Sequence, residues 1–455
     1  MNGHREPLRP TRRRVLQWGA LTVGVGALSA CGGNGTSTQP TGAGATESSS
    51  APSTPTSITN AQQAAELVAG VASQAADAGS YGIGGALIVN ATGEVLQTMP
   101  NRVIERVNPA SAGIAGETFT SDPTAHGERQ LVYWYLANRE SLGLPDAAQL
   151  TVVTSLDPCV MCTGALLTAG LNAATVSRDT FSGINFNNTG SFASLPSGPR
   201  ELAAGSFGYY AVDPNRAYQG APGLPFADTT MTREVFERCR NLYQDSAGKV
   251  RDTRKNTGTD PSDLRDPATE PTATPVIEAF RKVYPEAFNV KIADFRTPDA
   301  QVRAVLEDLV ANTPGAANAV AFIDPFGNLV VAAADSPDNP AAPAFLPVAA
   351  NYSTTRFGLI NDPATVQIAQ QTLTSPKFGT FAFLYAPNPG DTTTVETLGA
   401  YGSTVEGALP QTNPSNFQFF YPPTSGTVDE LLAQIAVLPP LYSSLVEISP
   451  QQVAG

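Results

Sequence analysis

Two short stretches carry side chains of the kinds that bind metals and move protons: Asp122-Pro-Thr-Ala-His-Gly-Glu128 and Asp157-Pro-Cys-Val-Met-Cys162. Together they supply one imidazole, one carboxylate and two thiols, in a chain of 455 residues with only two histidines and four cysteines. Zinc favours tetrahedral sites of nitrogen and sulfur ligands, and a catalytic site keeps one position open. His126, Cys159 and Cys162 are three such ligands, with the fourth position left to water. Cys159 and Cys162 lie three apart at an expected helix N-terminus, so both sulfurs share one face where the helix dipole and a metal favour thiolate. Glu128 adds a carboxyl group, an acceptor when ionised and a donor when protonated. Each feature taken alone has a plainer reading. A single histidine is more often a surface or core residue, and Cys-x-x-Cys can be a redox pair or half of a structural zinc site. Cys239 could complete such a structural site; otherwise it is a buried, inert thiol.

The elements that must hold these residues can be read from the flanking pattern. Thr59 or Asn60 can cap a helix whose apolar positions Ala64, Leu67, Val68, Val71 and Ala75 recur at helical spacing, with Gly79 and Gly82 ending it. Residues 84–89 read as a buried strand, 90–93 as a turn and 94–99 as the return strand. Asp122 and Pro123 read as the cap and first position of the site helix, which continues through Asn138. Residues 150–155 read as a strand, 159–169 as a helix and 173–177 as another strand. The order α-β-β-α-β-α-β is that of a three-layer α/β/α sandwich.

The H-x-E motif, followed about thirty residues later by P-C-x-x-C, resembles the signature of zinc-dependent nucleobase deaminases. The element order resembles the cytidine deaminase-like fold. Within the cytidine and deoxycytidylate deaminase-like family, residues 122–128 and 156–162 look most like the branch of tRNA adenosine deaminases and guanine deaminases. The resemblance covers roughly residues 60–190. It implies a zinc-dependent hydrolase that replaces an amino group by oxygen, with His126, Cys159 and Cys162 on Zn2+ and Glu128 as the proton shuttle. Asn101, in Pro100-Asn101-Arg102, falls where that branch places a substrate-binding asparagine, and Arg178-Asp179 also matches the family. One departure is plain: Gly127 stands where the family usually has alanine.

The N-terminus reads as an address. Thr11-Arg-Arg-Arg-Val-Leu-Gln17 fits the twin-arginine pattern, and the weakly apolar run that follows, about 13 residues long, is too short to span a bilayer. Leu28-Ser-Ala-Cys31 resembles a bacterial lipobox, which implies cleavage before Cys31 and lipidation of its sulfur. Residues 1–30 are thus expected to be a leader and 31–57 a disordered tether rich in Gly, Ser, Thr and Pro. The protein is expected at the outer face of the cell membrane.

The domain expectation is a zinc deaminase-like domain over 58–250, a polar linker over 251–275 and a non-catalytic second domain over 276–455. The second is expected to be α+β: a helix from about Thr297, a hairpin at 319–333, a strand at 378–385 and a capping box at Thr427–Glu430. Helix, hairpin, long loop and strand also open the first domain, so a degenerate deaminase-like repeat is one reading of the second. No histidine follows His126 and the only cysteine after Cys162 is Cys239, which excludes a second zinc site of this type. The chain carries 27 basic and 40 acidic side chains, net −13. Loss of residues 1–30 would leave 22 against 39, net −17. Such a surface repels phosphate backbones, so nucleic acid is disfavoured as a partner. The expected substrate is a free nucleobase, nucleoside or related aminated heterocycle, purines favoured. The rival reading is a zinc-containing binding or scaffold lipoprotein without turnover. A dimer is open to such a fold, and a tandem second half could equally stand in for a partner subunit.

Overall fold

Asn60 accepts a hydrogen bond from the Gln63 N–H and starts α1 (Ala61–Asp77). The alanines of this helix are small enough to lie flat on a sheet. In the computed structural model, residues 56–453 are described except for 109, 112–116, 188–189, 213–225, 227, 254–258, 406–415 and 443–449. Cys31, the leader and all but the last two residues of the tether lie outside the described residues. Ser53–Gly455 pack as one compact unit. Among the described residues, no helix is long and apolar enough to cross a membrane.

The first half continues through β1 (Gly84–Val89), β2 (Val95–Pro100), a small hairpin of β3 (Ile104–Arg106) and β4 (Thr118–Thr120), and α2 (Gly127–Asn138). Next come β5 (Leu150–Leu156), α3 (Val160–Ala169), β6 (Asn172–Ser177), α4 (Ser197–Ser206), β7 (Phe207–Tyr209), the short pair β8 (Ala211–Val212) and β9 (Thr230–Met231), and α5 (Arg233–Thr253). The main sheet runs β2-β1-β5-β6-β7. β1 is antiparallel to both neighbours, while β5, β6 and β7 are parallel. Side chains alternate between the two faces of a strand. Ala86, Ile88 and Val153 accordingly meet α1 and α5, whereas Leu87, Val89 and Val152 face the core that holds α2 and α3. This is the three-layer α/β/α arrangement that the element order implied.

The site helix starts later than the Asp122-Pro123 pair suggested. Asp122 accepts from the N–H and hydroxyl of Thr124 and so caps a turn. The helix proper begins at Gly127, with His126 as its extended N-cap residue.

The second half holds α6 (Thr274–Val283), α7 (Ala300–Asn312), β10 (Ala319–Ile323), β11 (Leu329–Ala334), α8 (Phe345–Asn361) and α9 (Val366–Thr372). It ends with β12 (Thr380–Tyr385), α10 (Thr392–Thr404), β13 (Asn416–Tyr421), α11 (Val428–Ala436) and β14 (Gln451–Gln452). Its sheet runs β11-β10-β12-β13-β14. β10 is antiparallel to both neighbours, and β12, β13 and β14 are parallel. Order and sense therefore match the first sheet strand for strand.

The likeness reaches individual turns. Gly93 and Gly327 both have positive φ, and a Cβ on either would lie 1.8 Å from the Ile58 carbonyl oxygen or 2.2 Å from that of Ile292. Beside them, Ser57 bridges Glu94 as Lys291 bridges Asn328. Residues 251–253 finish α5, and Pro261–Ala273 form short 3-10 turns tied to the second half. Arg265 N–H donates to the Gln371 carbonyl and Asn328 to Asp266.

The halves meet through corresponding helices, α3 and α10. A Cβ on Gly164 would come within 2.3 Å of the Glu396 nitrogen, and one on Gly399 within 2.0 Å of the Met161 nitrogen. Glycine at both positions lets the two backbones touch, and one apolar core runs through the crossing.

Candidate functional site

The loop after β5 and the N-termini of α2 and α3 converge at one end of the first sheet. The Nδ1 of His126 is 3.5 Å from the Cys159 Sγ. Cys159 is the N-cap of α3 and its sulfur accepts from the Cys162 N–H at 3.5 Å. One ligand atom from each of His126, Cys159 and Cys162 lies within 4.8 Å of the others. That spacing, with one imidazole and two sulfurs, fits a tetrahedral zinc with a position to spare. Among the described residues this is the group of three or more metal-ligating side chains that could hold an ion. Cys239 is elsewhere, buried under α1 in the other core, where burial pushes its thiol up to about 12.

The loop carrying Cys159 is pinned from below. Asp157 is buried, accepts from the Asn185 N–H at 2.9 Å and from the Tyr209 hydroxyl, and is raised to about 7 mainly by burial. Gly183 leaves room for it, since a Cβ there would meet the Asp157 Oδ2 at 2.3 Å.

Glu128 projects from the first turn of α2 and is 3% exposed. The Thr154 hydroxyl donates to its Oε1 at 2.7 Å, which leaves Oε2 beside the Cys162 sulfur at 3.5 Å. Burial, and then charge on Cys159, raise the Glu128 pKa above the ordinary carboxylate range. Burial works against charge on His126, yet Cys159 and Glu128 carry its net shift upward. Of the two thiols, Cys159 is held well down, chiefly because Cys162 donates to it, while burial holds Cys162 well up.

Asn101 is 1% exposed and lines the same cavity of about 330 Å³ as His126, Glu128 and Cys159. Its Oδ1 accepts from the Ser80 hydroxyl at 2.7 Å and from the Val103 N–H at 3.0 Å. A backbone N–H can only donate, so the amide orientation is fixed and Nδ2 is left as a buried donor without a partner. The cavity rim comes from the β3–β4 hairpin, Phe181 and Ser182, Tyr243 and Ala247 of α5, and Gly402, Ser403 and Leu441 of the second half.

Residues 58–177 match the family described as the cytidine and deoxycytidylate deaminase zinc-binding region. This segment belongs to that zinc-dependent deaminase family. With the His/Cys/Cys donors in place, the chain is a zinc-dependent hydrolase of the deaminase type. Similar solved structures include one from a study of A-to-I editing by tRNA:A34 deaminases. It is 16% identical, with a TM-score of 0.22, and covers 39% of this chain and 96% of that one. Another is guanine deaminase from Nitrosomonas europaea, 16% identical with a TM-score of 0.25, covering 42% of this chain and 87% of that one. No curated protein matches the chain.

Sequence reasoning had no means of finding Thr154 or the rim from the second half. Thr154 looks like any β-branched strand residue until β1 and β5 pair and turn it toward α2. The rim residues lie more than two hundred positions downstream, beyond any spacing signal.

Proposed function

We propose that this deaminase acts on a free nucleobase, nucleoside or related aminated heterocycle, purines favoured, and is exported and held at the outer face of the membrane by lipid on Cys31. The observation that carries the substrate reading is the cavity of about 330 Å³ that Asn101 and Glu128 both line, with Asn101 Nδ2 a buried donor without a partner. That volume suits a single heterocycle held by a few convergent polar groups. A buried donor without a partner is costly, and a ring nitrogen or carbonyl oxygen of the base would repay it. The net charge of −13 supports a small neutral substrate over a polynucleotide.

When bound by His126, Cys159 and Cys162, zinc supplies Lewis acidity that lowers the pKa of a water in its open position. The remaining work falls to the chain. Asn101 would hold the ring by a hydrogen bond and so fix its orientation in the cavity. Glu128 accepts a proton from the water and delivers it to the ring nitrogen. Once the water oxygen has bonded to the amine-bearing carbon, the same carboxyl group takes its remaining proton and passes it to the amine. The C–N bond breaks, ammonia leaves and the ring carbon keeps the oxygen as a carbonyl. The raised pKa of Glu128 suits a group that must hold a proton between the two transfers. Thr154 keeps Oε1 fixed, so that Oε2 is the atom that carries protons.

The decisive experiment is ammonia release by the purified protein from a panel of aminopurines, aminopyrimidines and their nucleosides, with Glu128→Ala as the control. Release that disappears in the variant, with about one zinc per chain retained in both, is the expected result. No release from any compound by zinc-loaded protein would favour a binding lipoprotein instead. The membrane reading rests on the sequence pattern around Cys31. Cys31→Ser should move the protein from the membrane fraction to the soluble one, and its persistence with the membrane would defeat lipidation.

A further inference from the structure

We infer that arginines from α5 and from the end of β6 form a second binding site, for a phosphate-sized oxyanion, beside the catalytic cavity. The site is read from charge, burial and cavity lining, and it holds whatever heterocycle the zinc centre takes.

The α5 residues involved recur at helical spacing. Arg233, Phe236, Arg240 and Tyr243 fall three or four positions apart, so they share one face of the helix. That face, with Arg178, Asp179 and Thr180 directly after β6, walls a cavity of about 450 Å³. Tyr243 also lines the catalytic cavity, as do Phe181 and Ser182, which follow Thr180 in the chain. The two hollows therefore share a wall. Three arginines and one aspartate line the second, in a chain where acidic side chains outnumber basic ones by 40 to 27.

The partners of these charges point to an anion from outside the chain. Arg238, on the same helix but outside the cavity, pairs with Glu66 of α1, and Arg233 lies 3.9 Å from Glu237. Arg240 is the exception. Among the described residues no acidic side chain pairs with it, and its Nε is buried without an acceptor. The one carboxylate of the lining, Asp179, is engaged elsewhere: it accepts from the Phe181 N–H at 2.8 Å and from the N–H and hydroxyl of Ser182. A buried N–H of a charged group is costly to leave unmatched. An oxyanion meets the guanidinium fork with two parallel hydrogen bonds. The chain's net charge repels a long phosphate backbone, but a local cluster of arginines can still hold a single phosphate. The chemistry is the same whether that phosphate is free or attached to the heterocycle at the zinc centre.

The test is binding by the zinc-loaded full chain, read by calorimetry with inorganic phosphate, inosine and inosine 5′-monophosphate. Neither purine carries an exocyclic amine, so no turnover intervenes. Phosphate and the monophosphate are expected to bind, and Arg240→Gln to weaken both about 10- to 100-fold, as loss of a hydrogen bond to a charged group does. Arg238→Gln, an equal loss of charge outside the cavity, should change neither. If Arg240→Gln does not fold, Arg233→Gln at its exposed position carries the same expectation. Tighter binding of the monophosphate than of phosphate or inosine would support a site for the substrate's own phosphate. Equal binding of phosphate and monophosphate would support a separate anion site. Absence of binding by both, or affinities unchanged in the cavity variants, overturns the proposal, as does binding of a single-stranded oligonucleotide alone. Ammonia release by a protein that binds no phosphate would sink this site and leave the deaminase reading standing, and phosphate binding without ammonia release would do the reverse.

Discussion

Gly127 stands between the His126 imidazole and the Glu128 carboxylate, where the resembled family usually carries alanine. A Cβ there would lie 2.6 Å from the Met99 carbonyl oxygen, a backbone atom that cannot swing aside. Alanine is the better helix former by about 1 kcal/mol, so the glycine is kept for space. We expect Gly127→Ala to destabilise the fold by about 1–3 kcal/mol through overpacking. Denaturant unfolding checks it, and an unchanged midpoint would mean that β2 yields. The chemistry-bearing residues were legible because their spacing is local: H-x-E and C-x-x-C each fall within one turn of chain. Thr154 was not, since its role arises only when distant segments meet.

At the scale of elements, legibility followed the presence of a one-sided pattern. α1, the β1–β2 hairpin, β5 and the capping box of α11 all declare themselves by alternation or by a cap. α10 does not. Its sequence opens with three threonines, and it is buried between α3 and α8, so no polar face marks its period. The turn between β10 and β11 supports a quantitative prediction. Asp324 accepts from the N–H groups of Phe326 and Asn328 and from the Asn328 amide, yet burial raises its pKa from 3.8 to about 7. Between those values the folded chain keeps the proton and the unfolded chain releases it. Stability contributed here therefore falls as pH rises through that interval. Relative to the native chain, Asp324→Asn should gain about 1–3 kcal/mol between about pH 5 and about pH 7.5, each pKa unit being worth about 1.4 kcal/mol. Equal differences in unfolding free energy at the two pH values would show that Asp324 titrates normally.

At the scale of the molecule, the matching sheets make the chain two copies of one architecture, of which one keeps the metal ligands. Element order hinted at this in the sequence. The strand senses and the paired turns at Gly93 and Gly327 establish it, and no residue motif could have, because the second copy holds no histidine or cysteine. Arg129, next to Glu128, lies 3.8 Å from Glu396 of α10, both side chains buried. The second copy thus braces the site helix as well as lining the cavity.

The reciprocal seating of Gly164 and Gly399 has a kinetic meaning. A cavity walled by two separate subunits empties of one wall whenever the assembly is diluted below its dissociation constant. Here the second wall is covalently attached, so its local concentration is set by the chain and not by the solution. Gly402, Ser403 and Leu441 therefore remain at the cavity however dilute the protein is.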